Sequence, residues 1–495
     1  MGNIKKLAGA TIWYGVPTIL HRFLGFILQL FLTSVFPAEK FGEVGQLYAF
    51  IPFCNIIFTY GLETSYFRFT QSVEKDRLFN TLNVSMIVST ILFSGILLIG
   101  SPVLADGLGF PGRADLVMLA TGVLFFDTLT TIPFARLRQE GRPRKFAAVK
   151  LATIVVQIVL TVFILKYAPK LHAQGHLSWY NPDRGVEYFV IANMIASACS
   201  LLFLSKEFST FRWKFDKTLW KEVIRYSWPL IAIGLGGMIN EMLSRLIFPQ
   251  VYPASREVSM SLLGIFSANY KLAVLITISI TAFRMGAEPF FFNQSDRKDA
   301  PQTYARVMKY FTMFMGAAFL VVALFLDIWS WLITRGADKS YAEGLHVVPV
   351  LAMATVFLGI YYNLTIWYKL TNRNLMGVWI TMGGALVTIV LNIWWIPQFS
   401  YTGSAWATFV CYASMMTASY LLGQKYYPVP YEVPKVLGYL GLAAALYVLH
   451  DYIKAQGLGF WPVHIAAVVE LGVYLAVIAW SERKDIARLL SRKAG

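Results

Sequence analysis

The chain has 495 residues, 57% of them hydrophobic and 14% charged, with a mean hydropathy of +0.56. Soluble domains are roughly half apolar and about a quarter charged, so this balance excludes an ordinary soluble protein and fits a chain that crosses a membrane many times. The net charge of +16 would suggest a nucleic-acid partner in a soluble protein. Here its distribution along the chain points to membrane orientation, and no nucleic acid is expected.

A spanning helix needs about 20 mostly apolar residues. Fourteen stretches meet that template, at roughly 10–36, 43–67, 80–101, 114–135, 146–166, 186–205, 224–245, 259–292, 304–327, 346–368, 376–396, 401–423, 435–451 and 461–481. The expected fold is an all-α polytopic membrane protein. The eighth span is long enough to contain a bend, and the thirteenth is short. Pro17, Pro52, Pro133 and Pro229 fall inside spans, where such breaks are tolerated and often mark kinks. Lys5 and Lys6 precede an apolar run too long for a signal-peptide core, with no A-x-A site after it, so a retained first helix is expected.

The loops orient the spans. With a cytoplasmic N-terminus, inside segments carry 30 of the 43 Lys and Arg residues, outside loops carry 10, and Arg22, Lys271 and Arg284 lie within spans. That asymmetry places both termini in the cytoplasm. The basic loop RLRQEGRPRK (136–145) and the tail SERKDIARLLSRK (481–493) then face anionic lipid. Cys54, Cys199 and Cys411 are far apart in apolar segments and read as packing residues. His172 and His176 share the largest outer loop but have no third ligand nearby, so no metal site is expected.

Weak internal repetition suggests two halves. Aligning Pro17 with Pro229 also aligns Gly25 with Gly237, and Arg136-Leu137 at the end of the fourth span matches Lys369-Leu370 at the end of the tenth. The expected division is an N-lobe over 1–215 (spans one to six), a C-lobe over 216–425 (spans seven to twelve), and two further helices with a basic cytoplasmic tail over 426–495. Membrane transporters are often built from such repeats with the site between them.

A charge inside a span costs several kcal/mol and is a functional-site hypothesis by default. The cationic candidates are Arg22, Lys271 and Arg284, with Arg245 near the outer end of the seventh span; the acidic ones are Glu63, Asp127, Glu241 and Glu288. Glu241 with Arg245, and Arg284 with Glu288, have the i, i+4 spacing of an intrahelical ion pair. Arg22 and Lys271 have no acid within a turn of their own helix, although Glu63 on another helix could reach Arg22. Together the cations imply a basic cavity suited to an anion, and arginine's planar fork suits phosphate above all. His21, beside Arg22, could titrate with a proton gradient; adjacent helical residues point about 100° apart, so it could equally pack against neighbours. No catalytic constellation stands out. There is no GxxxxGK[ST] nucleotide loop, and no aqueous domain that could hold acidic catalytic residues. An enzyme is not expected.

Three segments carry a family resemblance. YGLETSYFRF (60–69) looks like the end of the second helix of polysaccharide-biosynthesis transporters. AFRMGAEPFFF (282–292) with DAPQTYARVMKYF looks like their eighth and ninth helices. LNIWWIPQFSYTGSAWAT (391–408) resembles the hairpin of Wzx-type lipid-linked oligosaccharide flippases. That group belongs to the multidrug/oligosaccharidyl-lipid/polysaccharide (MOP) exporter superfamily. The resemblance implies a MATE-like fold in a bacterial inner membrane. It implies a cargo of undecaprenyl-diphosphate-linked oligosaccharide, moved from the cytoplasmic to the periplasmic leaflet by alternating access for O-antigen or capsule synthesis. It also implies coupling to an H+ or Na+ gradient without a bound cofactor, contact with membrane lipids, and association with polysaccharide-assembly proteins. Arg284, Glu288, Glu63 and Arg68 sit in matched motifs. The Asn392–Thr408 stretch reads as a turn whose Gly403, Ser404 and Ala405 let helices approach. A multidrug exporter and a lipid II flippase of the same fold stay open as alternatives, with a membrane enzyme or assembly scaffold behind them.

Overall fold

The computed structural model describes residues 2–483 apart from 296, 337 and 372, and side chains from residue 19 onward except at 286, 288, 289, 292 and 293. The basic tail beyond 483 and the side chain of Pro17 lie outside the described residues. All regular structure among the described residues is helical. The principal helices are α1 (Gly2–Val35), α2 (Ala38–Thr59), α3 (Leu62–Phe69), α4 (Lys75–Ile99), α5 (Ala114–Gln139), α6 (Pro143–Val162), α7 (Gly185–Phe203), α8 (Lys217–Val251), α9 (Arg256–Gln294), α10 (Ala300–Ala323), α11 (Val348–Leu364), α12 (Ile366–Leu370), α13 (Asn374–Tyr426), α14 (Val433–Ala455) and α15 (Phe460–Ser481).

Twelve described segments are long and apolar enough to cross a membrane. Helix α13 is 53 residues long, about twice a bilayer's need, and departs from helical geometry at Ser400 (φ 54°, ψ −143°). A Cβ on Gly403 would lie 2.7 Å from the Trp395 carbonyl oxygen. In a straight helix residues eight apart are about 12 Å apart along the axis, so the chain folds back here and α13 makes two crossings. This is the turn read in the Asn392–Thr408 stretch, and glycine is required because any side chain would strike Trp395. With α1, whose described apolar part is Ile19–Val35, the described residues provide for about fourteen crossings. The internal prolines Pro52, Pro133 and Pro229 leave α2, α5 and α8 unbroken. Helix α9 runs 39 residues as one element. Apolar side chains such as Ile99, Val103 and Trp461 stand 74–85% exposed, as a hydrocarbon-facing surface requires.

The chain divides into two compact units: residues 1–268 with 335–340 and 381–404, and residues 269–334 with 341–380 and 405–495. The division runs through α9 and α13, not along loops.

In the first unit, α5 packs on α4 and α7, α1 on α6, and α2 on α8. Leu78, Phe79, Leu82, Ile132, Leu219 and Val223 form a buried core at one end. The same end is tied by Asp216. Its carboxylate accepts from the Leu219 N–H at 3.0 Å to cap α8, and from Arg77 Nε at 2.7 Å. The Leu219 amide and then Arg77 hold that carboxyl below the usual carboxylate range. At the other end α2 and the start of α9 cross almost backbone to backbone. A Cβ on Gly264 would lie 1.8 Å from the Ala38 carbonyl oxygen, and one on Gly42 1.9 Å from that of Met260. Such crossings need small residues. Arg113 seals this end by bridging two buried carboxylates, Glu43 at 2.8 Å and Glu187 at 2.7 Å.

In the second unit, α10 packs on α11, α14 and α15. Lys309 and Glu482, both almost wholly buried, pair at 2.7 Å. Glu432 and Lys435 extend that pair into a four-member cluster. A second buried pair, His450 Nδ1 with Glu470 Oε2 at 2.8 Å, joins α14 to α15.

Candidate functional site

The site begins at the end of α2. Tyr60 (φ 32°) and Gly61 (φ 74°) take left-handed conformations that stop the helix. Glycine meets this backbone demand at little cost. The chain restarts as α3, which carries Glu63 toward α5. Helix α5 contributes Asp127, Thr130, Thr131, Phe134 and Arg138, residues spaced to lie along one helical face. The Thr130 hydroxyl donates to the Asp127 carbonyl oxygen at 2.8 Å, and Pro133 follows with no N–H to give the preceding turn. Helix α6 contributes Phe146, Lys150, Thr153 and Gln157 at the same kind of spacing. Helix α7 adds Asn193 and Ser197, α2 adds Asn55, and α1 adds His21.

These side chains enclose a cavity of about 380 Å³ in the first unit, polar on nearly every side. Glu63 and Arg138 form an ion pair, and the Arg138 guanidinium also lies 4.8 Å from the Phe67 ring centre. The Lys150 ammonium sits 4.2 Å over the Phe134 ring. Asp127 opens onto the cavity, whose wall also holds Ser197 and Lys150. Asn193 Nδ2 donates to the Tyr48 hydroxyl at 2.8 Å. His21 Nδ1 is buried with no hydrogen-bond partner among the described residues. The cavity thus holds two carboxylates, two cations and an imidazole within an apolar belt. Charged groups kept at such cost can bind an ion or exchange a proton.

The other anticipated charges lie elsewhere. Arg22, next to His21 in sequence, is exposed and is not part of the cavity wall. Arg245 is 4% exposed and donates to the Glu241 main-chain carbonyl at 3.4 Å. The Glu241 carboxylate is exposed and makes no ion pair among the described residues, so the i, i+4 pairing read from the sequence is not formed. In the second unit, Lys271 is half-buried and Arg284 exposed. They stand about 20 Å apart along α9. The Arg284 guanidinium carbon stacks 3.9 Å from the Tyr362 ring centre. The side chain of Glu288 lies outside the described residues. His172 Nδ1 bonds the Leu177 carbonyl oxygen at 2.6 Å.

Sequence reasoning missed Arg138, Lys150 and Lys309 because each was counted with a basic loop. A signal existed: Asp127, Thr131, Phe134 and Arg138 fall at i, i+4, i+7 and i+11, and Phe146, Lys150, Thr153 and Gln157 repeat that pattern on the next helix.

Residues 7–293 match the polysaccharide biosynthesis protein family. The match spans more than half of the chain and includes the whole cavity wall. The chain belongs to this family. A search of curated proteins matches none to this chain. Among solved structures, the lipid II flippase MurJ in an inward closed conformation superposes with a TM-score of 0.75 at 14% identity, covering 96% of this chain and all of that one. An inward-facing multidrug resistance MATE family transporter of the MOP superfamily gives 0.65 at 13% identity, covering 84% of this chain and 97% of its own. A Vibrio cholerae MATE transporter gives 0.57 at 13% identity, covering 85% and 96%. This member of the polysaccharide biosynthesis family therefore has the fold of MOP-superfamily membrane proteins.

Proposed function

We propose that the protein is a flippase for lipid-linked oligosaccharide. It moves undecaprenyl-diphosphate-linked repeat units from the cytoplasmic to the periplasmic leaflet of a bacterial inner membrane, by alternating access, for surface polysaccharides such as O-antigen or capsule. The observation that carries this reading is a family match to polysaccharide biosynthesis in a chain with a flippase fold over 96% of its length. In this reading Arg22, Lys271, Arg284 and Arg245 serve the anionic cargo, and both termini are cytoplasmic. The titratable cavity of Asp127, Lys150, Glu63, Arg138 and His21 is the place where an H+ or Na+ gradient acts. Polysaccharide-assembly proteins are natural partners. Glu241 and Glu288 remain candidate charge partners of the cations.

The test is deletion of the gene in a strain with no redundant transporter. Lipid-linked repeat units should accumulate on the inner leaflet and surface polysaccharide should be lost. Normal surface polysaccharide would overturn the reading. A second reading, lipid II flipping, is favoured by the 0.75 superposition on MurJ. It requires the chain to restore growth when the resident lipid II flippase is depleted. A multidrug exporter of the same fold would instead change drug tolerance and leave polysaccharide intact. Arg22→Ala should abolish complementation at normal protein level, and Arg22→Lys should keep part of it; full complementation by Arg22→Ala would make Arg22 a structural charge.

A further inference from the structure

The first unit's cavity mixes acids with cations, so it does not explain where a diphosphate is held. The second unit has a smaller recess between α9, α11 and α12. Arg284, Tyr362, Asn363, Thr365 and Lys369 all line it, and no acidic side chain does among the described residues. Three features point to an anion. The Arg284 guanidinium is stacked on Tyr362, which fixes the plane of its donor fork while leaving the residue exposed. Lys369 brings a second cation to the same wall. Asn363 is 4% exposed, and its Nδ2 has no hydrogen-bond partner among the described residues. A buried donor left without an acceptor is destabilising, and an incoming oxygen would relieve it.

We infer that this recess is a phosphoryl-binding subsite. Its volume, about 20 Å³, admits one oxygen and not a whole phosphate. One phosphoryl oxygen enters against Asn363, and the rest of the group stays at the rim with Arg284 and Lys369. The inference rests on the flippase reading for its ligand: the diphosphate that joins a polyprenyl chain to its sugars. Lys369 lies in a segment that the loop-charge count assigns to the cytoplasmic face. The headgroup of an inner-leaflet lipid lies at that level before transfer. The side chain of Glu288, one turn beyond Arg284, lies outside the described residues.

The test uses the purified full-length chain in detergent, with binding read by intrinsic tryptophan fluorescence. The probes are undecaprenyl diphosphate, undecaprenol and inorganic diphosphate. Undecaprenyl diphosphate should bind at least tenfold more tightly than undecaprenol. Arg284→Ala and Lys369→Ala should each weaken it about tenfold, and Asn363→Asp, nearly the same shape but anionic, by at least as much. The undecaprenol arm should not change. Arg284→Lys and Lys369→Gln serve where an alanine variant does not fold, and should weaken binding by a smaller factor. If wild type binds undecaprenyl diphosphate and the variants match it, the recess is not the subsite, and the flippase reading stands. If undecaprenol binds as well as its diphosphate, the phosphoryl subsite is overturned. Binding of inorganic diphosphate alone, still lost in the variants, keeps the subsite and overturns the lipid-linked cargo. Binding of neither diphosphate overturns both.

Discussion

Glu482→Gln tests the reasoning about buried charge most directly. The Glu482 carboxylate accepts from Lys309 Nζ at 2.7 Å, Lys435 Nζ at 2.9 Å and the Tyr439 hydroxyl at 2.8 Å. Burial alone would raise its carboxyl. The donations from Lys309, Lys435 and Tyr439 outweigh burial and hold it at about 2, against an ordinary 4.5. By linkage that difference corresponds to about 3 kcal/mol at neutral pH. Glu432 and Lys435 are about two-fifths exposed, and solvent screening on that side reduces the figure to about 2 kcal/mol. Because the folded carboxyl is depressed, the contribution is fully present above about pH 4.5 and is lost as pH falls toward 2. Glu482→Gln keeps the shape and removes the charge. It should lower the melting temperature of the detergent-solubilised chain by a few degrees at pH 7. It should also flatten the acid dependence of melting below pH 4.5. A variant that melts within one degree of wild type at pH 7, or that keeps the wild-type acid dependence, would refute the argument.

Three other outcomes follow from the same physics. Arg113→Ala strands the buried Glu187 and leaves Glu43 with only Lys40 at 3.3 Å and Arg256 at 3.7 Å; losing the partner of one buried carboxylate should cost about 3 kcal/mol, read as lower melting temperature and yield, and wild-type melting would refute the bridge. Gly264→Val forces a side chain into the Ala38 carbonyl. The α2–α9 crossing must open, and a cysteine pair placed across it should crosslink far less than in the glycine background. Asp127→Asn removes the carboxylate that opens onto the first cavity. In proteoliposomes it should lose stimulation of flipping by an imposed H+ or Na+ gradient; unchanged gradient response would exclude Asp127 from coupling.

The crossings were legible because hydrocarbon demands about 20 apolar residues each time, whatever the neighbours do. The Ser400 turn was legible from Gly403, whose missing side chain leaves room for Trp395. The candidate site was only partly legible. His21, Glu63 and Asp127 stood out as charges or titratable groups in apolar runs. Lys150 and Arg138 did not, because a cation near a helix end reads as topology until a neighbouring helix is seen to enclose it. The expected Glu241–Arg245 pair failed for a related reason: i, i+4 spacing makes an ion pair available on a lone helix, but packing buries Arg245 and leaves the Glu241 side chain exposed.

What the amino-acid sequence determined by itself is what depends on local composition: a fourteen-crossing helical membrane protein, its loop-charge asymmetry, the motifs of its family and the short list of costly intramembrane charges. What only the tertiary structure decided is pairing. Arg113 meets carboxylates 70 and 74 positions away, and Lys309 meets one 173 away. A hydropathy window averages over neighbours in the chain and is blind to such partners. The electrostatic value of a long flexible cation is set by the partners and dielectric it meets after the helices pack.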